Sequence, residues 1–175
     1  MDIENLWEEL IFEIGSLGPL VKSGDKKVFI GSGNRTGDIL FIGDDPELYL
    51  DEELRVNPGS SGEFLFKLCD IVGMTPEDYY VSTLTKSNLK YREYFDNDQE
   101  HLLELLNMQI ALINPKVVVA LGQGVASALL GRDVDFLKEK GKIMDWMGDI
   151  KFFITYDPNF AKNLEMQEER NLLWL

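Results

Sequence analysis

The chain has 175 residues, 45% of them hydrophobic, which fits one globular domain over residues 1–175 with a proper core. Its net charge of −14 opposes a surface built on phosphate contacts, since each such contact needs a Lys or Arg to displace counterions. No apolar run approaches the ~20 residues of a membrane helix. The acidic opening, MDIENLWEELIFEIGSLG, is not a secretory signal, so the expectation is a cytoplasmic protein with no membrane segment. The lone cysteine, Cys69, can form neither an internal disulfide nor a cysteine metal site.

The first segment puts Leu6, Trp7, Leu10, Ile11 and Ile14 on one helical face, and Gly15 and Gly18-Pro19 end it. VFIGSGN reads as a short strand or extended turn. DILFIG, from Asp38 to Gly43, is a continuous apolar run, as a strand buried on both faces requires. Ser60 or Ser61 can cap a helix through Val72, with Phe64, Leu65, Leu68 and Ile71 as its expected core side. YYVST, from Tyr79 to Thr83, is the second long strand. A helix from about Asp98 to Ile113 stops before Pro115. KVVVALG, from Lys116 to Gly122, is the third strand, and GVASALLG is a short helix closed by Gly131. A hairpin spans roughly Ile143 to Ile154, and its second arm, IKFFITY, is the fourth strand. Pro158 opens a last helix to about Trp174.

Strands alternating with helices imply a three-layer α/β/α sandwich around a central, four-stranded, mostly parallel sheet. Ligands of such sheets bind at the carboxyl ends of the strands. Those ends are Gly43-Asp44-Asp45-Pro46, Thr83-Leu84-Thr85, Gly122-Gln123-Gly124 and Tyr156-Asp157-Pro158-Asn159. Gly122-Gln123-Gly124 lacks the third glycine of a dinucleotide cradle and reads as a strand–helix turn. The irregular stretches, about 44–59 and 84–97, are long enough to be functional. The second holds the best candidate for a basic patch: Lys86, Lys90 and Arg92, with tyrosines interleaved. His101, the only histidine, sits in an amphipathic helix outside any motif.

Seven segments in order carry a resemblance: GSLGPL, VFIGSGN, ILFIGDDPE, VNPGSSGEFL, STLTKS, NPKVVVALG with its ASALLG helix, and DPNF. Together they resemble the iron–sulfur branch of the uracil-DNA glycosylases, over nearly the whole chain. The family has Cys-x-x-Cys-Pro-Leu, V-x-G-x-G-N, Gly-Glu-x-Pro-Gly, Pro-Phe-Val-Gly-x-x-Gly, Thr-Asn-x-x-Lys-Cys, Arg-Pro-Lys-Val-x-Val-Ala-Leu-Gly and His-Pro-x-Tyr in these places. The resemblance implies the uracil-DNA glycosylase fold and a base pocket at the carboxyl edge of the sheet.

The departures fall on the chemistry. The family's four cysteine ligands map to Gly15, Gly18, Ser87 and Leu102, none of which ligates iron, so no cofactor is expected. The stacking phenylalanine maps to Asn57, the edge-reading asparagine to Thr83 and the histidine to Asp157. Glu47 replaces a glycine through which backbone approaches the ligand. The first carboxylate survives as Asp44, one methylene shorter than glutamate. The candidate site is therefore Asp44 and Asp157 for catalysis, with Asp45, Asn57, Thr83 and Asn159 for substrate binding.

Each of these residues also has an ordinary structural account. Asp157 before Pro158 makes a helix cap, Asp44-Asp45-Pro46 a turn, Asn57-Pro58 a loop and Thr83 a strand end. Three functions remain open. One is a diverged member with weak or no uracil excision that binds a base, a nucleotide or a protein partner, and DNA only weakly. The second is an active glycosylase with Asp44 as activating carboxylate. The third is an Mg²⁺ site of Asp44, Asp45 and Asp157. On the topology, these three aspartates should lie near one another.

Overall fold

The computed structural model describes residues 2–16, 30–86 and 89–163. Gly18, Pro19, Ser87 and the last helix beyond residue 163 lie outside them.

Helix α1 (Ile3–Gly15) is capped by Asp2 and buries Trp7, Leu10 and Ile14, the face read from the sequence. Strands β1 (Ser32–Gly33) and β2 (Ile39–Gly43) follow. A single 3-10 turn, Pro46–Leu48, leads on towards α2 (Ser61–Ile71) and β3 (Tyr79–Thr83). A second 3-10 turn, Tyr91–Glu93, precedes α3 (Asp96–Ile113), which ends in a left-handed Asn114 just before Pro115. Then come β4 (Val117–Leu121), α4 (Gln123–Leu130), α5 (Phe136–Glu139), β5 (Ile143–Asp145) and β6 (Lys151–Thr155). Residues 158–163 are helical.

The sheet has six strands, in the order β1-β3-β2-β4-β6-β5, where the sequence pattern gave four. Its centre, β3-β2-β4-β6, is the expected parallel set. The additions are antiparallel edges: β1 on β3, and β5 on β6 as the first arm of the hairpin. At two and three residues they are too short to show a periodic pattern.

Side chains alternate between the two faces of the sheet. Leu40, Ile42, Tyr80, Val118, Ala120, Phe152 and Ile154 form one core with α1, α3 and α4. Phe41, Tyr79, Val81, Val119 and Leu121 form the other with Leu48, Tyr49, Leu65 and Cys69. Helices thus cover both faces, giving the α/β/α layering.

Helix α2 is rotated from its sequence reading. Its buried side is Ser61, Gly62, Leu65 and Cys69, whereas Leu68 and Ile71 are exposed and Phe64 is only half-buried. Gly62 decides the rotation. A Cβ there would lie 2.2 Å from the carbonyl oxygen of Leu48, so the helix is pressed against the Pro46–Leu48 turn on the side where it has no side chain. Ser60, not Ser61, is the N-cap, accepting the Glu63 N–H at 3.2 Å. Among the described residues no helix is long and apolar enough to cross a membrane.

Candidate functional site at the carboxyl edge of the sheet

The parallel register sets Gly43 beside Thr83 at the ends of β2 and β3, and Leu121 beside Thr155 at the ends of β4 and β6. The segments that leave these ends converge. Asp44 turns towards the loop after β3, and its carboxylate accepts the Tyr91 N–H on both oxygens, at 3.1 and 3.2 Å. Burial lifts the Asp44 pKa from 3.8 to about 6. The Tyr91 N–H and the charges of Lys90 and Arg92 pull it down, and the charge of Asp157 pushes it up.

Asp157 serves two purposes. As the cap of the last helix it accepts the Asn159 N–H at 2.8 Å, with Pro158 at the first helical position. Its pKa is also raised, first by burial and then by the charge of Asp45, against the Asn159 N–H and Lys90. Gly122 takes φ +112° directly beside it, and a Cβ there would lie 3.4 Å from the Asp157 Cβ. Gly122-Gln123-Gly124 is thus the strand–helix turn read from the sequence, with Asp157 packed against it.

Asp45 caps the Pro46–Leu48 turn through the Glu47 N–H, at 2.9 Å. Its other oxygen accepts from the Asn159 side-chain amide. Asn159 therefore ties Asp45 to Asp157, and the three aspartates lie together as the topology requires. Each of the three carboxylates already accepts a hydrogen bond, and among the described residues no three acidic, histidine or cysteine side chains are grouped to hold a metal ion.

Thr83 is buried. Its hydroxyl accepts the Lys86 N–H at 3.1 Å and lies 3.4 Å from the Tyr49 hydroxyl, while its carbonyl accepts from Lys86 Nζ at 2.6 Å. Lys86 therefore does not belong to a surface patch. It is buried in a left-handed turn, φ +56°, and burial lowers its pKa to about 7. The exposed cations of that loop are Lys90 and Arg92.

Asn57 is exposed, and its carbonyl accepts the N–H of Ser60 at 3.2 Å and its hydroxyl at 2.6 Å. Lys162, on the last helix, donates to the Gly59 carbonyl and so fastens the Asn57 loop to the helix that Asp157 caps. Tyr156 and Phe160 stack at 5.5 Å on the flank of the site, and Lys140 donates to the Tyr156 hydroxyl at 2.7 Å. His101 is exposed on α3, 3.5 Å from Glu104.

The sequence reading missed Tyr91, Lys90 as the cation shared by Asp44 and Asp157, and Tyr49. Tyr91 acts through its backbone, which carries no residue-specific signal. Tyr49 could have been noticed as a polar-tipped aromatic just past a buried strand.

A mostly parallel sheet with helices on both faces, an acidic turn after β2 and an Asp-Pro helix start after β6 has the arrangement that the resemblance implied. The family model described as the uracil DNA glycosylase superfamily matches residues 30–174. The chain is 30% identical over 148 residues to the type-4 uracil-DNA glycosylase of Thermotoga maritima, covering 83% of this chain and 77% of that protein. It is 28% identical over 138 residues to the type-4 uracil-DNA glycosylase of Archaeoglobus fulgidus, covering 73% and 68%. For the type-4 uracil-DNA glycosylase of Saccharolobus solfataricus the figures are 29% over 147 residues, 78% and 67%. The chain belongs to the uracil DNA glycosylase superfamily, on its type-4-like branch.

The iron–sulfur cluster implied by that branch does not fit the residues present. Leu102 is 4% exposed and packed in the α1–α3 core, and Gly15 offers no side chain. The one cysteine of the chain, Cys69, belongs to the core on the opposite face of the sheet.

Proposed function

We propose that the chain is a diverged glycosylase that keeps a nucleobase- or nucleotide-binding site at the carboxyl edge of the sheet and excises uracil slowly or not at all. The observation that carries this is Asp157. It stands where the family has a histidine, already accepts a hydrogen bond from Asn159, and sits within the field of two other carboxylates. An ionised carboxylate at that point repels a departing anionic base, and losing a charge-stabilising donor costs roughly a hundred- to a thousandfold in rate. Asn57 adds no stacking ring and Thr83 no amide. With a charge of −14, binding to DNA should be weak and salt-sensitive. No cluster is needed in this reading, and a cytoplasmic location is part of it.

A second reading, an active glycosylase for uracil or another damaged base, is favoured by Asp44 alone. A partly desolvated carboxylate held by the Tyr91 N–H and titrating near 6 is suited to positioning an attacking water. Release of uracil from a single-stranded oligonucleotide, compared between the wild-type chain and Asp44→Asn, separates the two. The first reading expects no release, or a slow release that Asp44→Asn leaves unchanged. Release that Asp44→Asn abolishes selects the second.

A further inference from the structure

Helix α1 turns Trp7, Leu10 and Ile14 into the core. The side away from that stripe carries Asn5, Glu8, Glu9, Phe12 and Glu13, all exposed. Phe12 is 75% exposed and stands opposite the buried stripe, so it is not the rim of the core. These same residues line a cleft of about 500 Å³. The helix carries Glu4, Glu8, Glu9 and Glu13 and no Lys, Arg or His. Elsewhere a cation answers such groups, as Lys67 answers Glu63 and Arg132 answers Glu139. Among the described residues none lies within ion-pair reach of Glu8, Glu9 or Glu13. Like charges four residues apart, Glu4 with Glu8 and Glu9 with Glu13, oppose the helix. Glu13 sits in the last turn, where the macrodipole disfavours an anion. A local conflict with no compensation inside the chain marks a surface kept for a function.

We propose that the outer face of α1 docks an arginine-rich segment of a partner protein, with one guanidinium stacked on Phe12 and others paired to Glu8, Glu9 and Glu13. The proposal does not rest on the reading of the strand ends above. The chemistry of the face selects the partner. Its carboxylates repel nucleic acid, and a second copy would bring the same acidic patch against itself across a two-fold axis. A planar guanidinium satisfies both parts of the surface, since it stacks on an aromatic ring and its fork donates to carboxylates. An exposed aromatic ringed by charge is also the usual composition of an interface anchor.

The test uses the full chain and a labelled helical peptide with arginines three and four residues apart around a leucine, its binding read by fluorescence anisotropy at physiological salt. Wild type should bind it saturably. Phe12→Ala should weaken binding about tenfold, and so should the combined Glu8→Gln, Glu9→Gln and Glu13→Gln variant. Asp70→Asn, Glu77→Gln and Asp149→Asn together change the net charge equally at exposed positions away from α1, and should leave affinity within about twofold of wild type. The α1 triple variant should also raise the urea midpoint of the free chain, because it removes the like-charge pairs. A fall in that midpoint would show that the carboxylates serve the fold, and would overturn the proposal. Equal weakening by the two triple variants would assign binding to the overall field of the chain and overturn it. Full affinity in Phe12→Ala, or no saturable binding by wild type, overturns it too. A dimer in sedimentation that Phe12→Ala dissociates would give the face to a second copy and overturn it as well.

Discussion

The Asp44 carboxylate receives the Tyr91 N–H on both of its oxygens, so the turn after β2 is fastened to a loop 47 residues further along the chain. This contact keeps a half-buried carboxylate from being lifted further towards neutrality. Tyr91 is the first residue of its 3-10 turn, and Lys90 before it is extended (φ −78°, ψ 157°), a combination that tolerates proline at position 91. Tyr91→Pro therefore removes the donor with little backbone strain. The Asp44 pKa, followed by carbon-detected NMR titration, should be about 6 in the wild-type chain and higher in the variant. A lower value in Tyr91→Pro would mean that the N–H does not stabilise the charged form.

Asp44 also makes stability depend on pH. Its pKa is raised on folding, from 3.8 to about 6, so the folded state holds the proton more tightly than the unfolded chain between those values. The Asp44 contribution is fully present below pH 3.8 and is lost as pH rises through about 6. Asp44→Asn should therefore gain stability relative to wild type as pH goes from 4 to 7, read as a rise in the urea midpoint of the variant minus that of wild type. A fall in that signed difference over the range contradicts the assignment.

Lys86 has the opposite sign. Its folded pKa is lowered to about 7 from 10.5, so the unfolded chain binds the proton more tightly and stability rises with pH between those values. Lys86→Met removes the buried amine and keeps its apolar length. It should stabilise the chain by about 1–3 kcal/mol at pH 6 and less at pH 9, since burying an unpaired charge is costly. Equal effects at both pH values would show that the folded chain keeps the amine protonated up to pH 9, with its pKa not lowered by burial.

Gly62→Ala tests how the site is framed. The added Cβ meets the Leu48 carbonyl at 2.2 Å, and neither backbone can yield without moving α2 or the Tyr49 turn. The expected loss is about 1–3 kcal/mol, the usual range for overpacking, in chemical denaturation. Gly124→Ala, with nothing within 4 Å of its Cβ, is the control and should be neutral or slightly stabilising.

These residues also show what could be read in advance. DILFIG, YYVST and KVVVALG were legible as short runs buried on both faces, and IKFFITY as an apolar run whose Phe152 and Ile154 alternate with less buried residues; their carboxyl ends followed directly. That placed Asp44, Asp45, Thr83, Asp157 and Asn159 at one edge. The rotation of α2 was not legible, since Phe64, Leu68 and Ile71 form as good an apolar stripe as Leu65 and Cys69. The choice was made by Gly62 against a carbonyl, a contact across elements. Lys86 looked like a surface cation for the same reason: its burial depends on the turn that Thr83 closes around it. The clamp on Asp44 comes from a backbone N–H, which every residue but proline has.

The chain should purify colourless and without stoichiometric iron or labile sulfide, even under anaerobic conditions, because Gly15 and Leu102 cannot supply thiolates and Cys69 belongs to the other core. A brown preparation with about four irons per chain, a complete cubane-type cluster, would refute this.

The central claim is that the carboxyl edge of the sheet still receives a nucleobase. Protein-observed NMR, with a uracil-bearing single strand and its abasic analogue added in turn at low salt, tests it most directly. The account predicts that the base-dependent part of the shifts falls on Gly43, Asp44, Thr83, Gly122, Asp157 and Asn159. Identical shifts with both strands, or base-dependent shifts confined to residues away from these strand ends, would contradict it.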